Sequence, residues 1–227
     1  LIGLNVVLYG LQFLSNDRVT SNFAMSGVFV AFLGEWWRLI TAAFLHVSLT
    51  HLLFNMVALW VVGGIIEPRL GRWRYLTVYL VSALAGSVFS YIVDPISQVS
   101  VGASGAVFGL FGALFVLALR LRFDLRGILA LIVINAVIGF LPGFNINWRA
   151  HLGGLVAGAL LTAVMVYAPQ RNRLALSIGA SALMVLVCIG GTVARTHQIQ
   201  SCVDRESFQR CDTGIWAAAP TGSFDGA

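Results

Sequence analysis

The sequence predicts an all-α fold, a polytopic bundle of transmembrane helices, on three observations. Hydrophobic residues make up 59% of the chain and charged residues 10%, against about 25% charged in soluble domains, and the mean hydropathy is +0.89. About seven apolar runs approach the ~20 residues that a helix needs to cross ~30 Å of hydrocarbon. The fourteen basic side chains are all arginine and gather between those runs, leaving no basic stripe of the kind that binds nucleic acid.

The first run, 1–14, is short and has no initiating methionine, so the sequence is expected to begin inside a helix or after a removed segment. A cleavable signal peptide fits poorly and is not expected, since no basic region and no small-residue cleavage site precede Asn16. The connection 15–43 is long yet apolar, with Phe23, Met25, Phe29, Phe32, Leu33, Trp36 and Trp37. Such a segment suits the membrane interface, with Asp17, Arg18, Glu35 and Arg38 reaching water and Trp37-Arg38 acting as an anchor.

Further runs follow at 44–66, 75–93, 102–119, 127–142, 150–168 and 174–194. Arg69, Arg72 and Arg74 follow the second run, Arg120, Arg122 and Arg126 the fourth, and Arg171 and Arg173 the sixth. The bias of arginine toward cytoplasmic loops places those three connections inside. The N-terminus is then cytoplasmic, while 15–43, 94–101, 143–149 and the tail after Arg195 lie outside. Cys188 falls within the seventh run, where it reads as packing. Cys202 and Cys211 fall in the outer tail, where oxidation to a disulfide is open to them. The final residues, including Ala217, Pro220, Gly222 and Gly226, read as flexible.

This topology gives the second, fourth and sixth runs one direction, from outside to inside, so their first residues share a depth. His46, His51 and Asn55 begin the second, Ser104 the fourth and His151 the sixth. Polar groups at membrane depth are costly and face cavities or partners. His51 and Asn55, at i and i+4, share a helix face and suit stabilisation of an oxyanion. Ser104 at a helix N-terminus lies where unpaired N–H groups favour developing negative charge. A serine needs a base, and His151 is the candidate. Gly105, Gly109 and Gly112, facing Ala150, Gly154 and Gly158, form small-residue faces that let two membrane helices touch. No acidic residue lies within the helices at this layer, so a Ser104–His151 dyad is the economical reading.

The order Trp37-Arg38, His46, His51-x-x-x-Asn55, Gly102-x-Ser104-Gly105 and Ala150-His151-x-x-Gly154-x-x-x-Gly158 resembles the rhomboid family of intramembrane serine proteases over residues 1–169. The resemblance implies a six-helix catalytic core, 1–169 including the interfacial loop 15–43, that cuts transmembrane protein substrates near the outer surface. It makes Ser104 the nucleophile and His151 the base and acid, with His51, Asn55 and the Ser104 backbone as the oxyanion hole. Gly102, Gly105, Phe108, Gly154, Gly158, Trp37 and Arg38 become supporting residues, and neither metal nor organic cofactor is called for. Many relatives carry tyrosine where this chain has Phe108, which keeps the ring and loses the hydroxyl. A seventh helix, 170–195, gives a six-plus-one arrangement, followed by an exposed tail, 196–227. Glu67 and Arg69 match a family stretch and are expected to tie a helix end to its loop.

Other readings stand beside these. Gly-x-Ser-Gly alone is also a packing motif, and the glycine that a soluble-hydrolase elbow requires is Ala106 here. His46 reads as structural, and Phe54 as lipid-facing or gating. A transporter could use the same histidines, but the inner halves of these helices offer no continuous polar path. A histidine metal site lacks a carboxylate or thiol partner at that depth. A non-cleaving relative would be expected to lack Ser104 or His151. The compact chain, without an organelle address, points to a bacterial plasma membrane, with lipids and membrane proteins as partners.

Overall fold

The computed structural model describes residues 1–124, 126–139 and 147–212. The glycine- and alanine-rich end around Ala217–Gly226 and most of the 143–149 connection lie outside the described residues. The helices are α1 (Ile2–Leu14), α2 (Arg18–Phe23), α3 (Gly27–Leu33), α4 (Arg38–Thr41), α5 (Leu49–Leu70), α6 (Arg72–Val93), α7 (Ser104–Leu121), α8 (Arg126–Gly139), α9 (Trp148–Tyr167), α10 (Arg173–Val203) and α11 (Phe208–Cys211). Of these, α5, α6, α7, α9 and α10 are long and apolar enough to cross a membrane, whereas α1 and α8 are apolar but shorter.

Local chemistry sets the helix ends. Ser48 is extended and its Oγ accepts the His51 N–H, so α5 starts at Leu49 rather than at the expected 44. Gly71, at φ +84°, ends α5 and turns the chain directly into α6. The last long helix continues to Val203, beyond the expected 195. No glycine or proline interrupts 192–203, and the extension is anchored: Ile199 is buried, Tyr91 Oη shares a hydrogen bond with Thr196 Oγ1, and Gln200 Nε2 donates to Ala31 O. A Cys202–Cys211 disulfide folds α11 back, and Asp212 Oδ1 accepts the Ser97 N–H. Residues 196–212 are therefore docked, where the sequence predicts an exposed tail.

Helix α7 forms the centre of the bundle, with Gly105–Leu114 and Val116–Ala118 buried. It packs backbone to backbone against α9. A Cβ at Gly154 would overlap Gly105 O and one at Gly158 would overlap Gly109 O, so the glycine faces set the interhelix distance. The buried side of α5, with Leu52, Met56, Leu59, Val62 and Ile66, completes the core, and α10 lies outside against α6 and α9.

The connection between α1 and α5 holds a feature that helix periodicity does not reveal. Its strand β1 (Met25–Ser26) pairs antiparallel with β2 (Val99–Ser100), Met25 opposite Ser100. Arg38 does not reach water as expected; it is 4% exposed. Its Nη1 donates to Ser21 O and Ala24 O, Nε pairs with Glu35, and the guanidinium lies 4.4 Å from the centre of the Phe29 ring. Two carbonyls, a carboxylate and an aromatic face satisfy the charge inside the loop. Trp37, half exposed, keeps the surface position predicted for it.

Candidate active site

The N-terminal ends of α5, α7 and α9 meet at one end of the bundle. On α5, the Ser48 cap fixes the first turn that carries His51, and one turn on Asn55 Nδ2 donates to His51 O at 3.0 Å. One N–H of the Asn55 amide is thus used locally, leaving the second. Both side chains are buried. His46 is held by its backbone: Gln12 of α1 accepts the His46 N–H through Oε1 and donates to His46 O through Nε2. Its ring meets His51 edge-on at 5.2 Å.

The approach to α7 is equally constrained. Gly102 has φ +136° and its N–H donates to Ala42 O. A Cβ at Gly102 would lie 2.8 Å from His51 Cε1 and 3.5 Å from Ser104 Oγ. The His51 ring and the Ser104 hydroxyl therefore flank one point that only glycine leaves open, in a backbone conformation that favours glycine. Ser104 is the first residue of α7, so its N–H is among those a helix leaves unpaired.

On α9, the His151 ring stacks on Phe108 with centroids 4.1 Å apart and planes within 9°. Phe108 lies one turn after Ser104, so the contact sets the imidazole against the serine-bearing turn. His151 Nε2 has no hydrogen-bond partner among the described residues, and neither do the ring nitrogens of His51 and His46. From the other side, Gly86 of α6 faces the residue before His151: a Cβ there would lie 2.6 Å from Ala150 O.

A polar cluster at the start of α9 was not legible in the sequence. Asn147 caps the helix, Oδ1 accepting the N–H groups of Arg149 and Ala150. Its Nδ2 donates to Asp94 Oδ2 at 2.7 Å and to Ser90 Oγ at 2.6 Å, while Arg149 Nη1 pairs with Asp94 Oδ1 at 2.6 Å. Asp94, 2% exposed, is the C-cap of α6. An acidic residue thus stands at this layer just beyond a helix end, where a search confined to the helices passes it over. Asn147 before Trp148 was a readable cap signal; its partners 53 and 57 positions away were not.

A cavity of about 260 Å³ opens among these elements, lined by His51, Gly102, Ser104, Ser87, Asn147 and Ala150. Its lining joins the Ser104 hydroxyl, the His51 imidazole and the start of α7, while His151 lies behind it, next to the lining residue Ala150. Among the described residues, no three His, Cys, Asp or Glu side chains are grouped to hold a metal ion. Trp37 and Arg38 lie outside the cavity lining; Arg38 holds Ala24 O, next to β1, and it is the paired strand β2 that lines the cavity. At the opposite end of the bundle, Arg69 Nη1 donates to Ile65 O and its guanidinium lies over Phe123, while Glu67 pairs with Arg72, joining the end of α5 to its neighbours.

The Rhomboid domain family matches residues 33–168. The chain is 35% identical to rhomboid protease GluP of Bacillus subtilis over 183 residues, covering 77% of this chain and 35% of GluP. It is 41% identical to putative rhomboid protease YdcA of the same organism over 145 residues, covering 61% of this chain and 72% of YdcA. Rhomboid protease AarA of Providencia stuartii is 26% identical across 88% of this chain and 84% of its own length. The chain thus spans about a third of GluP and most of AarA.

Proposed function

The chain belongs to the rhomboid family, and from that premise we propose that it is an intramembrane serine endopeptidase using a Ser104–His151 dyad. Its substrates are transmembrane helices cut near the outer surface of a bacterial plasma membrane. The observation that carries the reading is the convergence at Gly102, with His51 and Ser104 Oγ flanking one point and His151 locked on Phe108 beside them.

His151 Nε2 takes the Ser104 hydroxyl proton as Oγ attacks the scissile carbonyl carbon. The carbonyl oxygen becomes an oxyanion, accepting hydrogen bonds from the Ser104 N–H, the His51 ring and the second N–H of Asn55. As the intermediate collapses, the C–N bond breaks and the imidazolium returns its proton to the leaving amine. Water then attacks the acyl-enzyme, again losing a proton to His151, and Ser104 is regenerated. Serine and histidine thus recover their starting states, and the net reaction consumes one water.

Orientation follows from the arginines. Arg69, Arg72 and Arg74, then Arg120 and Arg122, then Arg171 and Arg173 all stand at helix ends opposite to Ser104 and His151. The positive-inside tendency makes that end cytoplasmic and the cavity outward-facing. Helix α1 agrees, since its C-terminal Gln12 binds the His46 backbone at the cavity end, which leaves its N-terminus inside.

The test uses purified protein in liposomes with a reporter transmembrane substrate, comparing wild type with Ser104→Ala and His151→Ala. Cleavage is expected only in wild type, and labelling by a fluorophosphonate is expected to require Ser104 and to fall at acid pH as the imidazole protonates. Cleavage that persists in either variant overturns the dyad.

A further inference from the structure

The dyad requires the imidazole to be held as firmly as the serine, and α9 enters the site at its first turn, the part of a helix with the fewest internal bonds. His151 is only the fourth residue of that helix. Phe108 fixes the plane of its ring, but stacking leaves the ring free to slide. What fixes the helix end itself is the cluster around Asp94.

We propose that Asp94 is a positioning residue for His151, acting through Asn147 and Arg149. Its carboxylate receives three hydrogen bonds, from Ser90 Oγ at 2.5 Å, Asn147 Nδ2 at 2.7 Å and Arg149 Nη1 at 2.6 Å. Two of the donors belong to the residues on either side of Trp148, where α9 begins. Asn147 then passes the constraint on through its other atom, Oδ1, which holds the N–H groups of Arg149 and Ala150. Its amide is thus fully engaged, the nitrogen on α6 and the oxygen on α9. Gly86 meets Ala150 O two turns earlier on α6, so the first turn of α9 touches α6 at two separated points, and the turn can neither slide nor rotate without breaking one of them.

Stability alone gives little reason for this arrangement. A capping Asn satisfies the helix N-terminus without any carboxylate behind it. A buried ion pair is often no better for stability than apolar groups of the same volume, and one established use of such pairs is to specify geometry. Asp94 is buried and absent from the cavity lining, so it touches no substrate. Its effect should fall on the rate of the chemical step rather than on binding.

The inference rests on the dyad reading, and one experiment separates the two. Purified protein in micelles is labelled with a fluorophosphonate over a range of probe concentrations, recording the rate at saturation, the half-saturating concentration and the final amplitude. The amplitude counts intact sites, whereas the rate reports their geometry. Asp94→Asn is expected to lower the saturating rate about 10- to 100-fold, with amplitude and half-saturation unchanged. The double variant Asp94→Asn/Asn147→Asp exchanges the amide and the carboxylate while keeping a competent cap, and is expected to restore most of the rate.

Arg149 is partly exposed, and Arg149→Met leaves Asp94 bonded to Ser90 and Asn147. It carries the test should Asp94→Asn not be recovered folded, and the same fall in rate is expected. An unchanged rate in the single variants, or a lowered amplitude whose surviving sites react at the wild-type rate, overturns the positioning role. If labelling does not depend on Ser104 and His151 at all, the dyad fails and the inference falls with it. If labelling needs both and ignores Asp94, only the inference fails.

Discussion

Gly86→Ala tests how finely the helix packing sets the chemistry. The new Cβ would stand 2.6 Å from Ala150 O, where ordinary contact begins near 3.4 Å, so about 0.8 Å of displacement is required. The Cβ is fixed rigidly to the α6 backbone and the oxygen belongs to the α9 backbone, so no flexible side chain can absorb it. Overpacking of this kind costs about 1–3 kcal/mol, partly offset by the ~1 kcal/mol gained from alanine over glycine in a helix. The protein should therefore stay folded with the start of α9 shifted. A misplacement near 1 Å can cost about a hundredfold in rate, so a loss of about 10- to 100-fold is expected, equivalent to about 1.4–2.7 kcal/mol of barrier. The assay is the saturating rate of fluorophosphonate labelling at full amplitude, with Gly179→Ala and Gly190→Ala as controls, since neither position has an atom within 4 Å of the added Cβ. A Gly86→Ala protein that reacts within about twofold of wild type would refute the claim that the α6–α9 contact sets the position of His151.

Two other substitutions probe the supporting residues. Phe108→Ala removes the stacked face and should slow labelling about 2- to 12-fold, given that such ring pairs are worth about 0.5–1.5 kcal/mol, whereas Phe108→Tyr should retain it; equal rates in both would show that stacking is immaterial. Arg38→Ala leaves Ser21 O and Ala24 O without their charged donor and should destabilise the protein by about 2–4 kcal/mol, seen as a lowered melting temperature in detergent. Turnover unchanged in the Trp37→Ala/Arg38→Ala double variant would disconnect the loop from the site.

The helices were legible because each apolar run has a length and a boundary signal of its own. Ser48 and Asn147 cap, Gly71 turns, and Arg69, Arg72, Arg120, Arg122, Arg171 and Arg173 stand at the ends away from the cavity. The positions of His51, Ser104 and His151 in the first turns of α5, α7 and α9 were legible for a related reason, because helix direction fixes depth. What hydropathy could not supply was pairing across distance. Arg38 reads as a solvated charge until the carbonyls of Ser21 and Ala24 are seen around it. Asp94 reads as a loop acid until Asn147 and Arg149 arrive from another helix. The extension of α10 to Val203 is polar enough to look like a tail, and its partners, Ala31 and Tyr91, lie far back in the chain.

The pairing of Met25 with Ser100, and of Gly102 with Ala42, also bears on the order of assembly. Contacts between residues so far apart in sequence form only after the intervening hairpin of α5 and α6 has closed, since loop closure precedes the reward of a long-range bond. The serine is translated well before the histidine, and the backbone that presents it gains its shape from a segment near the chain's beginning. A half-inserted chain would carry a hydroxyl with no proton acceptor and no fixed approach. On the proposed dyad, the reacting pair is complete only after α9 has joined the bundle.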